Sequence, residues 1–290
     1  MRHRGFGRIL LATDGSEESE AAARLAAAMA GSSGATRVRI VHCWNLEVHH
    51  RHGVWDVETR SEAEKLIAQS VAGLLALNIP ADGEVVHADT EHVGAAIAAA
   101  ARQFDADVVV VGSRGLAEWR AMREHSVSHQ VLSAVGCPVL IVREAGASIL
   151  REPSRVVLAL AGGSDIEPGV HAAIAAASTP GSTVLVLHVA QAVFGPYGFS
   201  YLEGDSEIHD TVTTAASMLK EAGITVETMV AEPGPVARTI ADAAVSWNAD
   251  IIVTGSSRMG DLASIMLGSV THDLMRATKR PVLVAARTSN

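Results

Sequence analysis

Two glycines pose the first chemical question. In "VGSRGLAEWRAMREHSVSHQV", residues 111 to 131, Gly112 and Gly115 come directly after an apolar run and before a segment of helical character. Glycines at the carboxyl end of a strand leave backbone N–H groups open to an anion, and the positive end of the following helix adds to the attraction. The physical type is a phosphate cradle, built here around Gly112, Ser113 and Gly115. A strand-to-helix turn uses the same glycines without any ligand, and their spacing alone does not separate the two readings. An acid stands at the end of another apolar run, "RILLATDGS", as Asp14.

The elements that must position these residues are written twice along the chain. Residues 87–142 lie over residues 230–285 without a gap at a constant offset of 143, so that "ADVVVVGS" meets "ADIIVTGS", "SVSH" meets "SVTH" and "CPVLIV" meets "RPVLVA". Upstream, "RILLATDGS" answers to "RVVLALAGGS", and "VRIVHCW" to "TVLVLHV". Each half contains five short runs rich in Val, Ile and Leu, separated by Ala-rich segments of helical length such as Glu17–Ala30 and Glu91–Gln103. Apolar strands without polar alternation are buried on both faces, which means a parallel sheet covered by helices and joined by right-handed crossovers. The expected fold is α/β, two tandem doubly wound domains over residues 1–146 and 152–290, with the linker in "EAGASILREPSR". Ligands of such sheets gather where strand order reverses, between the first and fourth strands. Asp14 and the glycines are expected to face each other there.

Composition limits the partners. The chain has 290 residues, enough for two cores, and its 32 acidic against 23 basic residues give a net charge of −9 with no basic run. Nucleic acid and anionic membrane surfaces are therefore poor partners. Aromatic residues are only 3%, so the core must be aliphatic and the helices close-packed. Cys43 and Cys137 sit in apolar surroundings and read as reduced, buried thiols. No segment has the length of a signal h-region or a membrane span, and the expectation is a soluble cytoplasmic protein.

The arrangement of strand, Gly112-x-x-Gly115, nine residues, a small pair and then "SVSHQVL" and "CPVLIV" resembles the universal stress protein family. ATP-binding members of that family carry Gly-x-x-Gly-x9-Gly-Ser/Thr. The likeness runs through both halves and includes the opening "ILLATDGSEESEAA". It implies an adenine nucleotide alpha hydrolase-like fold and an ATP site in which Asp14 holds the adenosine end and the Cys43 backbone meets the adenine edge. Gly112, Ser113, Gly115 and Ser126 would hold the phosphates, with Ser126 near a bound magnesium ion. His125 departs from the motif, standing where the last glycine belongs. A positive φ there disfavours histidine, whereas a helix N-terminal conformation lets the imidazole crowd the phosphates or donate to them. The second half keeps Gly255, Ser256, Gly268 and Ser269 but has Arg258 for the second glycine, and Gly162 for Asp14, with Asp165 three residues on as a substitute. The sites are expected to be unequal, the N-terminal one binding. The family also implies that the last strand of each half pairs the halves about a pseudo-twofold, with a homodimer beyond that.

Other constellations carry less. His49, His50 and His52 with Asp56 invite a metal, but the segment is expected to be a surface loop or short helix, and no metal site is expected because adjacent histidines do not converge on one point. His129 and His272 hold equivalent positions three residues after Ser126 and Ser269, close to a helix start, where a packing role and a general-base role are both open. "AGGSD" at residues 161–165 lacks the flanking serines of a pyrophosphatase loop, and no triad is present at motif level. The chain is thus expected to be a stress-response module acting through nucleotide occupancy, with no catalytic residue assigned. The alternatives are a slow ATP hydrolase, with Ser126 and a divalent ion near the phosphates, His129 or Asp14 assisting and Arg114 or Arg123 supplying charge stabilisation, and a scaffold that has lost its nucleotide.

Overall fold

The computed structural model describes residues 5–31, 36–44, 49–51, 54–56, 58–89, 91–113, 127–143, 152–161, 165–195, 198–202, 204–255 and 269–285. The chain divides into two compact units, one of Phe6–Leu150 and one of Met1–Gly5 with Arg151–Asn290.

In the N-terminal unit the order is β1 (Arg8–Ala12), α1 (Glu17–Ala30), β2 (Arg37–Trp44), β3 (His49–Arg51), β4 (Val54–Asp56), α2 (Arg60–Ala76), β5 (Ala81–His87), α3 (Val93–Phe104), β6 (Val108–Gly112), α4 (Val127–Ala134) and β7 (Val139–Val142). Five of the strands form a parallel sheet in the order β5-β2-β1-β6-β7. The C-terminal unit follows with β8 (Arg155–Leu160), α5 (Glu167–Ala176), β9 (Thr183–Val189), β10 (Ala192–Gly195), β11 (Gly198–Tyr201), α6 (Asp205–Glu221), β12 (Thr225–Ala231), α7 (Val236–Ser246), β13 (Ile251–Gly255), α8 (Ser269–Ala277) and β14 (Val282–Ala285). Its parallel sheet runs β12-β9-β8-β13-β14. Each unit is a doubly wound α/β domain.

The central strands lack alternation because helices cover both faces: Ile9, Leu10, Leu11 and Val108–Val111 are buried, as are Val156–Leu158 and Ile251–Val253. Capping explains where the helices start. Ser16 accepts from the Ser19 N–H at the head of α1, and Thr59 with Glu62 forms a reciprocal capping box on α2.

The "AD" shared by the repeats has a structural reason. Asp107 accepts from the Gly7 and Arg8 N–H groups at 2.8 and 2.7 Å, and Asp250 accepts from those of Ser154 and Arg155 at 2.8 and 2.9 Å. One carboxylate in each unit thus fixes the amino end of the first strand to the fourth. Past α3 and α7, Asp105 and Asn248 adopt the left-handed conformation that ends a helix, at φ 54° and 53°.

The His-rich segment differs from the loop or short helix expected. It forms an antiparallel hairpin in which His49 pairs with Asp56, His50 with Trp55 and Arg51 with Val54. The second unit has its own hairpin in the same place, with Phe194 opposite Phe199.

Candidate functional site

In the N-terminal unit the sheet order puts β1 between β2 and β6, so the connections leave β1 in opposite directions and a crevice opens outside the carboxyl ends of β1 and β6. Asp14 stands there, exposed. Its Oδ1 accepts from the Ser16 backbone N–H at 3.0 Å and from the Ser16 hydroxyl, a side-chain turn that leads into α1. Gly15 between them has φ +75°, which an L side chain adopts with strain. The turn continues into a hydroxyl chain: Thr13 Oγ1 donates to Ser19 Oγ at 3.1 Å, and Ser19 Oγ to the Ser16 carbonyl at 2.9 Å. Asp14 is therefore held at the mouth by backbone geometry as well as by sequence position.

Across the crevice, Gly112 ends β6 against the first turn of α1. A Cβ on Gly112 would lie 2.6 Å from the Glu18 carbonyl carbon and the Ser19 nitrogen, so the strand reaches the helix backbone only because no side chain intervenes. The Ser113 N–H donates to the Val142 carbonyl at 2.8 Å, which extends the β6–β7 ladder by one residue. Gly115, His125 and Ser126 lie outside the described residues. Cys43, on β2 next to β1, is half-buried, and burial, with the Glu84 carboxylate beside it, pushes its thiol up to about 11.

The sequence reading missed His42. Its ring is buried on β2, with Nδ1 2.8 Å from the Thr13 carbonyl and Nε2 2.8 Å from a Glu58 carboxylate oxygen. A carbonyl only accepts, so Nδ1 carries hydrogen. Nε2 then faces the Glu58 carboxylate. The Trp44 indole N–H donates to the Glu58 carbonyl at 2.7 Å and its ring stands edge-on to His87 at 5.6 Å. Thr13, β2 and the approach to α2 are thereby tied at the rim beside Asp14. A histidine inside an apolar strand was the available signal, although its partner sixteen residues on was not. Arg143, just past β7, is a second omission: burial pushes its guanidinium below its usual range, and the position 143 residues on is Ala286.

The second unit repeats the scaffold with different contents. Gly255 ends β13 exposed, and among the described residues a Cβ there would meet nothing within 4 Å. Asp165 Oδ1 accepts from the Glu167 N–H at 3.1 Å, reproducing the turn of Asp14, but the residue at the cap of α5 is Ile166, which supplies no side-chain acceptor. Ser256, Arg258, Gly268 and Gly162 lie outside the described residues, and Ser269 begins α8. His272 has Nδ1 3.3 Å from Asp273 Oδ1, and His129 is half-buried on α4. Among the described residues no cluster of three or more His, Cys, Asp or Glu could hold a metal ion, and no helix is long and apolar enough to cross a membrane.

Comparison with known proteins agrees with this architecture. The chain is 25% identical over 289 residues to a universal stress protein of Mycobacterium tuberculosis, covering 96% of each chain. It is 32% identical over 150 residues to a universal stress protein of Thermus aquaticus, covering 48% of this chain and 99% of that one. Among solved structures, a universal stress protein from Archaeoglobus fulgidus superposes with a TM-score of 0.71 at 19% identity, covering 99% of this chain and 98% of that one. The Universal stress protein family itself matches twice, over residues 5–143 and 153–286, and the chain belongs to that family.

Proposed function

We propose that the N-terminal unit binds an adenine nucleotide across the carboxyl ends of β1 and β6, and that the protein acts in the stress response through occupancy of that site. The reading rests on charge at the two helix starts that flank the crevice. α1 opens with Glu17, Glu18 and Glu20, which repel an anion, while the first turn of α4 carries no acid. A nucleotide laid across the crevice would then put its phosphates toward α4, beside Gly112, Gly115 and Ser126, and its nucleoside toward Asp14. The exposed Asp14 carboxylate can accept from ribose hydroxyls. The Cys43 backbone would border the base. Cofactor choice within this class is ATP, with magnesium beside Ser126.

The test is calorimetric titration of nucleotide-stripped protein with ATP and magnesium, beside Asp14→Ala and His125→Gly. One equivalent of ATP per chain, weakened at least ~10-fold by Asp14→Ala, is the expected result; each tenfold step corresponds to about 1.4 kcal/mol of lost interaction. Absence of heat in the wild type would overturn the reading. Heat appearing only with His125→Gly would favour the scaffold alternative, in which that imidazole closes the cradle.

A further inference from the structure

β12 is the outermost strand of the C-terminal sheet, pairing with β9 on one side, and among the described residues no strand pairs with its other side. Five of its seven residues are exposed, including Met229 at 41% and Val230 at 53%. Exposed edges are ordinarily protected by proline, a bulge or several charges; "TVETMVA" carries one charge, Glu227, whose carboxylate accepts from the Trp247 indole N–H at 3.0 Å. Its counterpart β5 in the N-terminal unit is protected: Asp82 is held by Arg39 through contacts of 2.6 and 2.9 Å, Glu84 follows, and Gly83 interrupts the run. The contrast within one chain singles out β12.

Backbone phase decides what can cover that edge. The Ala231 carbonyl accepts from Ala190 at 3.0 Å, so Ala231 faces β9. In a parallel ladder every second residue turns both its N–H and its C=O to the same neighbour. Thr225, Glu227 and Met229 therefore face β9 as well, and Val226, Thr228 and Val230 turn their backbone groups outward. The outward set is symmetric about Thr228. A second β12 running antiparallel about a twofold axis through Thr228 places Thr228 against Thr228, Val226 against Val230 and Glu227 against Met229. All outward N–H and C=O groups are then paired, β-branched residues meet β-branched residues, and no two like charges oppose one another.

We propose that β12 is a homodimerisation edge, joining the C-terminal sheets of two copies of this chain by antiparallel pairing about Thr228. The interface is isologous. Sedimentation of the full chain should give a species of twice 30.2 kDa, lost in Thr228→Pro, which removes an outward donor, and in Thr228→Lys, which sets two ammonium groups against each other across the axis. Denaturation midpoints establish that both variants remain folded. Amide exchange in the wild type supplies a readout without substitution. Glu227 and Met229, which donate to β9, should be protected at every concentration, whereas Val226, Thr228 and Val230 should gain protection only as concentration rises. A wild-type monomer at all concentrations overturns the proposal, and so does a dimer that survives both variants with Val226, Thr228 and Val230 exchanging freely.

Discussion

The two units have the same kind of sheet, the same strand order and the same connection pattern, yet the same strand end is built differently in each. Gly112 is pressed onto the backbone of α1, with hydroxyls of Thr13, Ser16 and Ser19 closing the turn beside it. Gly255, its repeat partner, has room for a Cβ among the described residues, and α5 begins at Ile166 without a side-chain cap. The repeat therefore preserves what folds the sheet and relaxes what shapes the crevice. Among the described residues, packing requires the shared glycine at Gly112 and not at Gly255.

Substituting the two glycines should break this equivalence most sharply. Gly112→Ala forces a Cβ against helix backbone, which cannot yield as the tip of a flexible side chain can, and should destabilise the N-terminal unit by about 2–3 kcal/mol. Gly255→Ala should change stability by about 0.5 kcal/mol or less, as an exposed site with room does. Urea denaturation followed separately for the two units measures both. Equal losses would mean that the close approach of β6 to α1 is not what distinguishes the crevices.

How much of this was legible in sequence follows from the range of the forces involved. Strands buried on both faces betray themselves by uninterrupted Val, Ile and Leu, and the start of α1 by Ser16 before an Ala-rich run, because burial and capping act on neighbouring residues. Strands of three residues, such as His49–Arg51, are too short to show any period. The tie from His42 to Glu58 and the seat of Gly112 on Glu18 and Ser19 are tertiary: nothing local in "IVHCW" or "VVGS" records which backbone arrives opposite. The phosphate-cradle reading of Gly112 and its packing role are compatible, and the latter could be seen only once the helix had been placed.

A second pair sharpens the likeness of the units. Asp107 and Asp250 do the same work, but Asp250 is buried and also accepts from the Ser154 hydroxyl at 3.3 Å, whereas Asp107 is exposed. Asp250→Ala should cost about 2–3 kcal/mol, since buried N–H donors lose a charged acceptor that water cannot replace. Asp107→Ala should cost less, because water reaches the vacated donors. Comparable losses at both positions would show that burial of the carboxylate does not set the strength of the clamp.

The smallest effect concerns alkaline pH, where the units should part because both cysteines lie in the first. Burial is the leading cause that pushes each thiol from 9.0 to about 11. A group that binds its proton more tightly when folded stabilises the fold fully below its unfolded value, and that contribution is lost as pH rises from about 9 to about 11. At pH 8 the thiolate fraction, and with it the alkylation rate, should fall on the order of 100-fold below that of the unfolded chain. Counted along the strands from the Arg8–Arg37 and Arg155–Thr183 pairs, Val189 stands in the second unit where Cys43 stands in the first. Cys43→Val should therefore remove that thiol's part of the alkaline loss and bring the pH profile of the first unit toward that of the second. Rapid alkylation of the native protein at pH 8 would instead mean that water reaches at least one of the two thiols.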